Sequence, residues 1–303
     1  IGGLYLLQTV TAVYLRLLGH EISNGGFVLD VNETPDPEEF EDAYMRYANA
    51  RVCPPRPAEK TYRVRGTQEP FYTLNVIDGI MSVSAVQKVA KQYQASITEY
   101  LNAVLLYSLL QKQEHDFHLR LRPVRIAMPV NLRRFFPSKT LRNFITMVYP
   151  SIDPRLGDYT FEEIVTQVHH YMRYYINSKF LRGDITTNAS TQRNPLIRIV
   201  PLFLKDFVVR QFYQRVQDKN SSAGLTNMGA IRVPDDMKPY LERFDIYMGI
   251  PYSQRTNCAI VSFEDTLTVN FASCIIEADV ERRFFQKLVE DGIPVTIESN
   301  REL

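Results

Sequence analysis

Four cationic side chains, Arg133, Arg134, Lys139 and Arg142, stand among three phenylalanines in the segment PVNLRRFFPSKTLRNF, residues 129–144. Met128 to Asn131 read as the end of a strand, Arg133 follows at once, and Asn143 opens the next strand after a loop. An arginine held at a strand end by flanking aromatics presents a planar fork of donors, suited to a bidentate ion pair or a phosphate contact. The competing reading is a solvated charged loop, to which Arg134, Lys139 and Arg142 belong more readily, because single surface charges contribute little. A second segment, GLTNMG at 224–229, sets Thr226 and Asn227 between glycines. These polar groups can hydrogen-bond a ligand where glycine lets the backbone come close, and a glycine-edged strand or bulge without a ligand fits the same residues.

The remaining candidates carry less. His169 and His170 sit side by side in QVHHYMRYY, on divergent faces of one helix and without metal-motif spacing, so they read as partly exposed helical residues. His20, His115 and His118 fall at helix ends or in loops, where imidazole can complement a helix C-terminus. There is no nucleophile elbow, no phosphate-binding glycine loop and no dinucleotide fingerprint. Judged by self-contained motifs, the chain holds no catalytic residue, no metal site and no permanently bound cofactor.

The elements that must position these residues belong to a globular protein. In 303 residues, 45% are hydrophobic and 23% charged, enough for a sizeable core. A formal net charge of +1 lacks the electrostatic footprint of nucleic-acid binding, so no such partner is expected. Cys53, Cys258 and Cys274 show neither an even count nor C-x-x-C spacing, which points to a reducing compartment and a cytoplasmic location. The most apolar region, 196–209, is broken by Arg198, Pro201 and Lys205 and is no membrane span; an amphipathic membrane-surface segment over 196–213 stays open beside a core wall. The first residues lack the marks of a signal peptide.

Leu6, Val10, Val13 and Leu17 predict a helix over 4–18 with a broad apolar face, ended by Gly19. The stretch 35–48 reads as a short surface helix and CPPRP at 53–57 as a stiff connector. Strands are expected at 71–77, 125–131, 143–152, 223–233 and 294–298, with a hairpin of NCAIVSF and TLTVNF about Glu264-Asp265. In that hairpin, Ala259, Val261 and Phe263 are expected to share a face with Leu267, Val269 and Phe271. Capping boxes at Ser84–Gln87, Ser96–Glu99 and Thr160–Glu163 start helices, the second running to about Lys112 and the third to near Gly183. Further helices are expected after Pro195, at 236–244 and at 278–290. The mixture, without a regular βαβ rhythm, predicts an α+β layer of helices over a sheet.

Together, PVNLRRFFPSKTLRNF, GLTNMG and the opening IGGLYLLQTVTAVYLRLLG resemble the alcohol acetyltransferases of the chloramphenicol acetyltransferase-like superfamily, related to the condensation domains of peptide synthetases. The resemblance covers essentially the whole chain. It implies a mixed sheet covered by helices, a two-layer α/β sandwich, with 1–58 as linking helix and crossover and 59–303 as the C-terminal acyltransferase lobe. It also implies a truncated chain: the family's H-H-x-x-x-D-G motif directly precedes a helix like that at 4–18, so the catalytic histidine and its N-terminal lobe would lie upstream, leaving these residues inactive alone. Arg133 would brace the aspartate of that motif, although Leu132 replaces the family's glycine. Asn131, Asn143, Thr226, Asn227 and Gly229 would bind substrate, Thr226-Asn227 on the strand lining the tunnel. Acetyl-CoA, or another acyl thioester such as carrier-protein pantetheine, would be the donor and an alcohol the acceptor. A non-catalytic, condensation-domain-like interaction module is the alternative, and self-association through helix 4–18 is expected if its apolar face lacks cover.

Overall fold

The structure, a computed structural model, describes residues 2–49, 59–70, 73–116, 120–193, 201, 206, 220–251 and 254–301. Its strands are β1 (Asn75–Ser82), β2 (Val124–Asn131), β3 (Ile145–Val148), β4 (Ser151–Ile152), β5 (Ala223–Ala230), β6 (Thr256–Phe263), β7 (Thr266–Ser273) and β8 (Thr296–Ser299). They form one mixed sheet in the order β3-β2-β5-β6-β7-β1-β8, with β4 also paired to β2. β5 runs parallel to both β2 and β6, and the remaining pairs are antiparallel. The helices are α1 (Gly2–Leu17), α2 (Ala43–Tyr47), α3 (Val83–Gln92), α4 (Ile97–His115), α5 (Phe161–Tyr175), α6 (Ser178–Arg193) and α7 (Asp279–Glu290). This is an α+β architecture, an open mixed sheet covered by helices.

α4 is the central beam of the larger core. Twelve of its nineteen residues are buried, and apolar groups cover its whole circumference, as a helix enclosed on all sides requires. Leu101, Leu105 and Leu109 meet Ile126, Ile260, Val269 and Phe271 of the sheet and Phe284 of α7 in one cluster. Its start is fixed locally: Ser96 accepts from the Glu99 amide while Glu99 reaches back to the Ser96 amide. Thr160 and Glu163 form the same device at α5.

A smaller core lies elsewhere on the sheet. Ala12 and Leu15 of α1 pack with Ile22, Val28, Ile231, Val233, Met237, Val261 and Phe263. The predicted helix therefore forms, but it docks through Ala12, Leu15 and the amide of Gln8, which donates to the Arg232 carbonyl at 2.6 Å. The broad apolar face read from the sequence looks outward: Leu6, Val10 and Leu17 are 62%, 58% and 81% exposed, and Tyr14 is exposed beside them.

Several expectations are corrected by local physics. α3 is capped by Ser82, which accepts from the Ala85 amide, rather than by Ser84, whose amide donates to Asp265. The strand expected at 143–152 is interrupted at Tyr149-Pro150 into β3 and β4, since proline offers no ladder donor. The helix expected to reach Gly183 breaks at Ile176-Asn177, where Asn177 Oδ1 accepts from the amides of Lys179 and Phe180 and opens α6. Only a 3-10 turn, Lys238–Tyr240, forms within 236–244. In the hairpin, the two-residue turn pairs Phe263 with Thr266, so odd positions of β6 share a face with even positions of β7. Leu267, Val269 and Phe271 accordingly join Cys258 and Ile260 in the large core, while Val261 and Phe263 enter the small one. The strand at 71–77 begins at Asn75 and continues to Ser82. CPPRP, the helix after Pro195 and nearly all of 196–213 lie outside the described residues. Among those described, no helix is long and apolar enough to cross a membrane.

Candidate active site

Strand alternation sorts β2 into two faces. Ile126, Met128 and Val130 enter the large core, while Arg125, Ala127 and Pro129 line a cleft of about 790 Å³ on the opposite side. Gly224, Thr226 and Met228 of β5 and Asn257 of β6 continue that surface. α6 contributes Phe180 and Asp184, and α5 contributes Tyr171 and Tyr175. Tyr171 and Tyr175 stack with centroids 4.3 Å apart, and Phe180 meets Tyr175 edge-on at 4.7 Å, giving the cleft an aromatic wall.

The residues 244–249 form a strap that closes one side. Asn270, buried in β7, accepts from the Ile246 amide at 3.2 Å and donates to both Asp245 and Asp78, at 3.0 and 2.8 Å. Tyr247 donates to the other oxygen of Asp78 at 2.9 Å, and Thr268 donates to the Phe244 carbonyl at 2.8 Å. Asn257 bridges the strap to β5, donating to the Gly249 carbonyl at 3.0 Å and accepting from the Gly224 amide at 2.7 Å. A side chain at position 224 would meet Asn257 Oδ1 at 2.9 Å and Met248 Cε at 3.0 Å, so glycine permits this close approach. Burial pushes the Asp78 carboxyl above its ordinary range, against the lowering effect of its bonds from Asn270 and Tyr247.

Arg133 follows β2 in a single 3-10 turn, Leu132–Arg134. Its NH2 donates to the carbonyls of Thr140 and Arg142 at 2.7 and 2.6 Å, and Nε donates to Thr140 at 3.2 Å. Asn131 Oδ1 accepts from the Arg133 amide at 3.1 Å, and the guanidinium carbon lies 5.8 Å from the centroid of Phe144. Thr140 in turn donates to the Glu41 carbonyl at 2.7 Å, fastening the loop to the segment before α2. The first turn of α1 lies against this loop: a Cβ on Gly2 would fall 2.5 Å from the Leu141 carbonyl, and Tyr5 is among the groups acting electrostatically on Arg133. Partial burial holds the guanidinium below its ordinary pKa. Among the described residues, no carboxylate lies within salt-bridge distance of it.

The sequence-predicted set divides. Asn143 and Thr226 line the cleft. Asn131 is engaged with Arg133, and Asn227 turns to the helical side, donating to Thr98 of α4 at 2.8 Å. Gly229 occupies a left-handed position, φ +76°, at the irregularity where β5 leaves its register with β6. Lys139 pairs with Asp36 at the surface. His169 Nδ1 stands 3.2 Å from Glu99 without the alignment of a hydrogen bond, His170 borders a separate groove on α5, and His20 packs on Tyr240. No histidine is among the described residues lining the cleft. Arg125, Asn257, Asn270 and the strap were not singled out from the sequence. Asparagines within two strands rich in apolar residues, NCAIVSF and TLTVNF, were the available signal, since asparagine is disfavoured in strands without a polar task.

No protein-family model and no curated protein matches the sequence. The fold does match solved structures. A nonribosomal peptide synthetase, FmoA3, aligns with TM-score 0.51 at 11% identity over 78% of this chain and 23% of that one. The epimerization domain from the third module of tyrocidine synthetase B gives 0.49 at 10% identity, over 96% and 65%. The trichothecene 15-O-acetyltransferase TRI3 of Fusarium sporotrichioides gives 0.49 at 17%, over 87% and 54%. This chain thus spans less than two thirds of each. At such identity the likeness to the synthetase concerns the fold.

Proposed function

We propose that this chain is one lobe of an acyltransferase that moves an acyl group, in the simplest case acetyl, from a CoA thioester to an alcohol. The general base would come from outside the described residues. The observation that carries this reading is Arg133: partly buried, braced by Asn131, Thr140 and Arg142, beside the first turn of α1, and without a carboxylate among the described residues. A sheltered cation favours a counter-charge, and a carboxylate held ahead of α1 would meet it. The family resemblance implies an aspartate there, following two histidines. The second histidine would take the proton of the acceptor hydroxyl as it attacks the thioester, a role worth about 10²–10⁴ in rate.

In the cleft, Thr226 and Asn143 would orient the acceptor, and donors aimed at the tetrahedral oxyanion would stabilise it. The donor is acetyl-CoA or an acyl thioester on a carrier-protein pantetheine. The unpaired thiols of Cys258 and Cys274 support work in a reducing compartment such as the cytoplasm. A partner lobe would also cover the outward face of α1; in its absence, two copies would pair through that face.

Incubated with acetyl-CoA and an alcohol, the 303-residue chain should release no CoA above background. Release by the chain alone, abolished by Arg133→Ala, would put the base inside these residues and overturn that part of the reading. The lack of a histidine among the described lining residues also suits a non-catalytic interaction module. That second reading expects acyl thioesters not to bind the cleft at all.

A further inference from the structure

Near the start of β2 lies a second arginine. Arg125 is 7% exposed and lines the cleft near Tyr149, Ser151, Tyr171, Ser221 and Gln254. Six strand steps carry β2 from it to Asn131, roughly 20 Å, before the turn that holds Arg133. Its NH1 donates to the carbonyls of Glu59 and Asn220 at 3.3 and 3.1 Å. Its own amide and carbonyl bond Ser222, at 3.2 and 2.7 Å. These contacts fix where the guanidinium sits, but carbonyls carry no net charge and do not neutralise it.

Other sheltered cations are treated differently. Lys112 lies 3.0 Å from both Asp116 and Asp279, and Lys287 lies 2.5 Å from Asp291. Arg125 has no carboxylate within salt-bridge distance among the described residues. The acid that acts on it through space, Glu59, has its carboxylate on Arg155 at 2.8 Å. Burial accordingly holds the Arg125 guanidinium below its ordinary pKa. A buried charge that borders open space and has no counter-ion among the described residues is an arrangement that an incoming anion completes. Polar groups stand beside it: the Ser221 hydroxyl accepts from Gln254 at 2.7 Å, which leaves its own proton to offer.

We propose that Arg125, with Ser221 and Gln254, forms an oxyanion-binding site at the end of the cleft remote from Arg133, taking a phosphate or carboxylate group of a ligand. The planar fork of arginine suits either group. This site requires no acyl chemistry, so it and the acyltransferase reading can fail separately.

Wild-type crystals soaked in tungstate, a phosphate mimic located by its anomalous scattering, should show a peak in hydrogen-bonding contact with Arg125. In titration calorimetry, pyrophosphate should bind the wild type about tenfold or more tightly than Arg125→Gln, with Arg125→Lys between them, as a charge without the fork predicts. Phosphopantetheine against pantetheine, and lactate against propane-1,2-diol, then report whether the anion belongs to donor or acceptor. In whichever pair applies, the anionic member should bind better in the wild type only. No tungstate peak at Arg125, or equal pyrophosphate affinity for the wild type and Arg125→Gln, would overturn the proposal; the soak does not depend on the variant folding.

Discussion

The guanidinium of Arg133 grips the carbonyl of Thr140 twice, from NH2 at 2.7 Å and from Nε at 3.2 Å, and so ties the end of β2 to the loop against which the first turn of α1 lies. Charge-assisted bonds of this kind contribute about 1.5–3 kcal/mol each at most, less with partial exposure. Arg133→Ala should therefore lower unfolding stability by about 1–3 kcal/mol in urea melts. Arg133→Lys should recover only part, because a point charge cannot reach two carbonyls in the same fork. Unchanged stability in Arg133→Ala would mean that the loop is held by Thr140 and Glu41 alone.

Asn257 and Gly224 hold the strap against β5 as a matched pair. Gly224→Ala places a methyl 2.9 Å from Asn257 Oδ1, and overpacking of this kind costs about 1–3 kcal/mol. Asn257→Ala strips the Gly224 amide and the Gly249 carbonyl of their partner, for about 1–3 kcal/mol. The two losses should be less than additive, since both act on one contact. A double-mutant cycle by chemical denaturation checks this; full additivity would detach the strap from Asn257.

Glu281 of α7 is buried, and its Oε1 accepts from Thr256 Oγ1 at 2.6 Å; burial raises its pKa above 4.5. The native state therefore holds a proton that the unfolded chain releases at lower pH. Its contribution to stability is fully present below the unfolded value and is lost as pH rises through the elevated folded value. Glu281→Gln should lack this loss, so that the stability difference between variant and wild type moves in favour of the variant as pH rises from about 4.5. Parallel profiles for the two proteins would assign the pH dependence elsewhere.

Much of the frame is written locally. The capping boxes at Ser96 and Thr160 need only residues three apart, and both form as the sequence predicts. The strand ending at Asn131, with Arg133 directly after it, is legible from local pattern as well. The strap was not: Ile246 finds its acceptor on Asn270, and Tyr247 finds Asp78 across 169 positions, pairings that no window of sequence displays. The hairpin faces differ from the expected ones because a two-residue turn shifts the register by parity, and apolar residues on both faces hide the shift. α1 misled in the opposite sense. It is apolar on two sides, and the side that packs is the smaller one, Ala12 and Leu15.

That outward surface carries its own expectation. With Leu6, Val10 and Leu17 in water, the chain should self-associate, and replacing these three by Gln, Thr and Lys should return a monomer in light scattering. Because α1 docks through other residues, the triple variant should keep its melting temperature within a few degrees, on the scale of surface changes. A wild-type monomer at the highest soluble concentration would contradict this.

The proposed acyl transfer requires the cleft between β2, β5 and the strap to receive an acyl thioester. Calorimetric titration of the 303-residue chain with acetyl-CoA, beside a Thr226→Trp variant that fills the cleft at β5, measures this. Saturable binding to the wild type, lost in the folded variant, is the expected result. Absence of binding, or binding that Thr226→Trp leaves unchanged, would rule the cleft out as the thioester site.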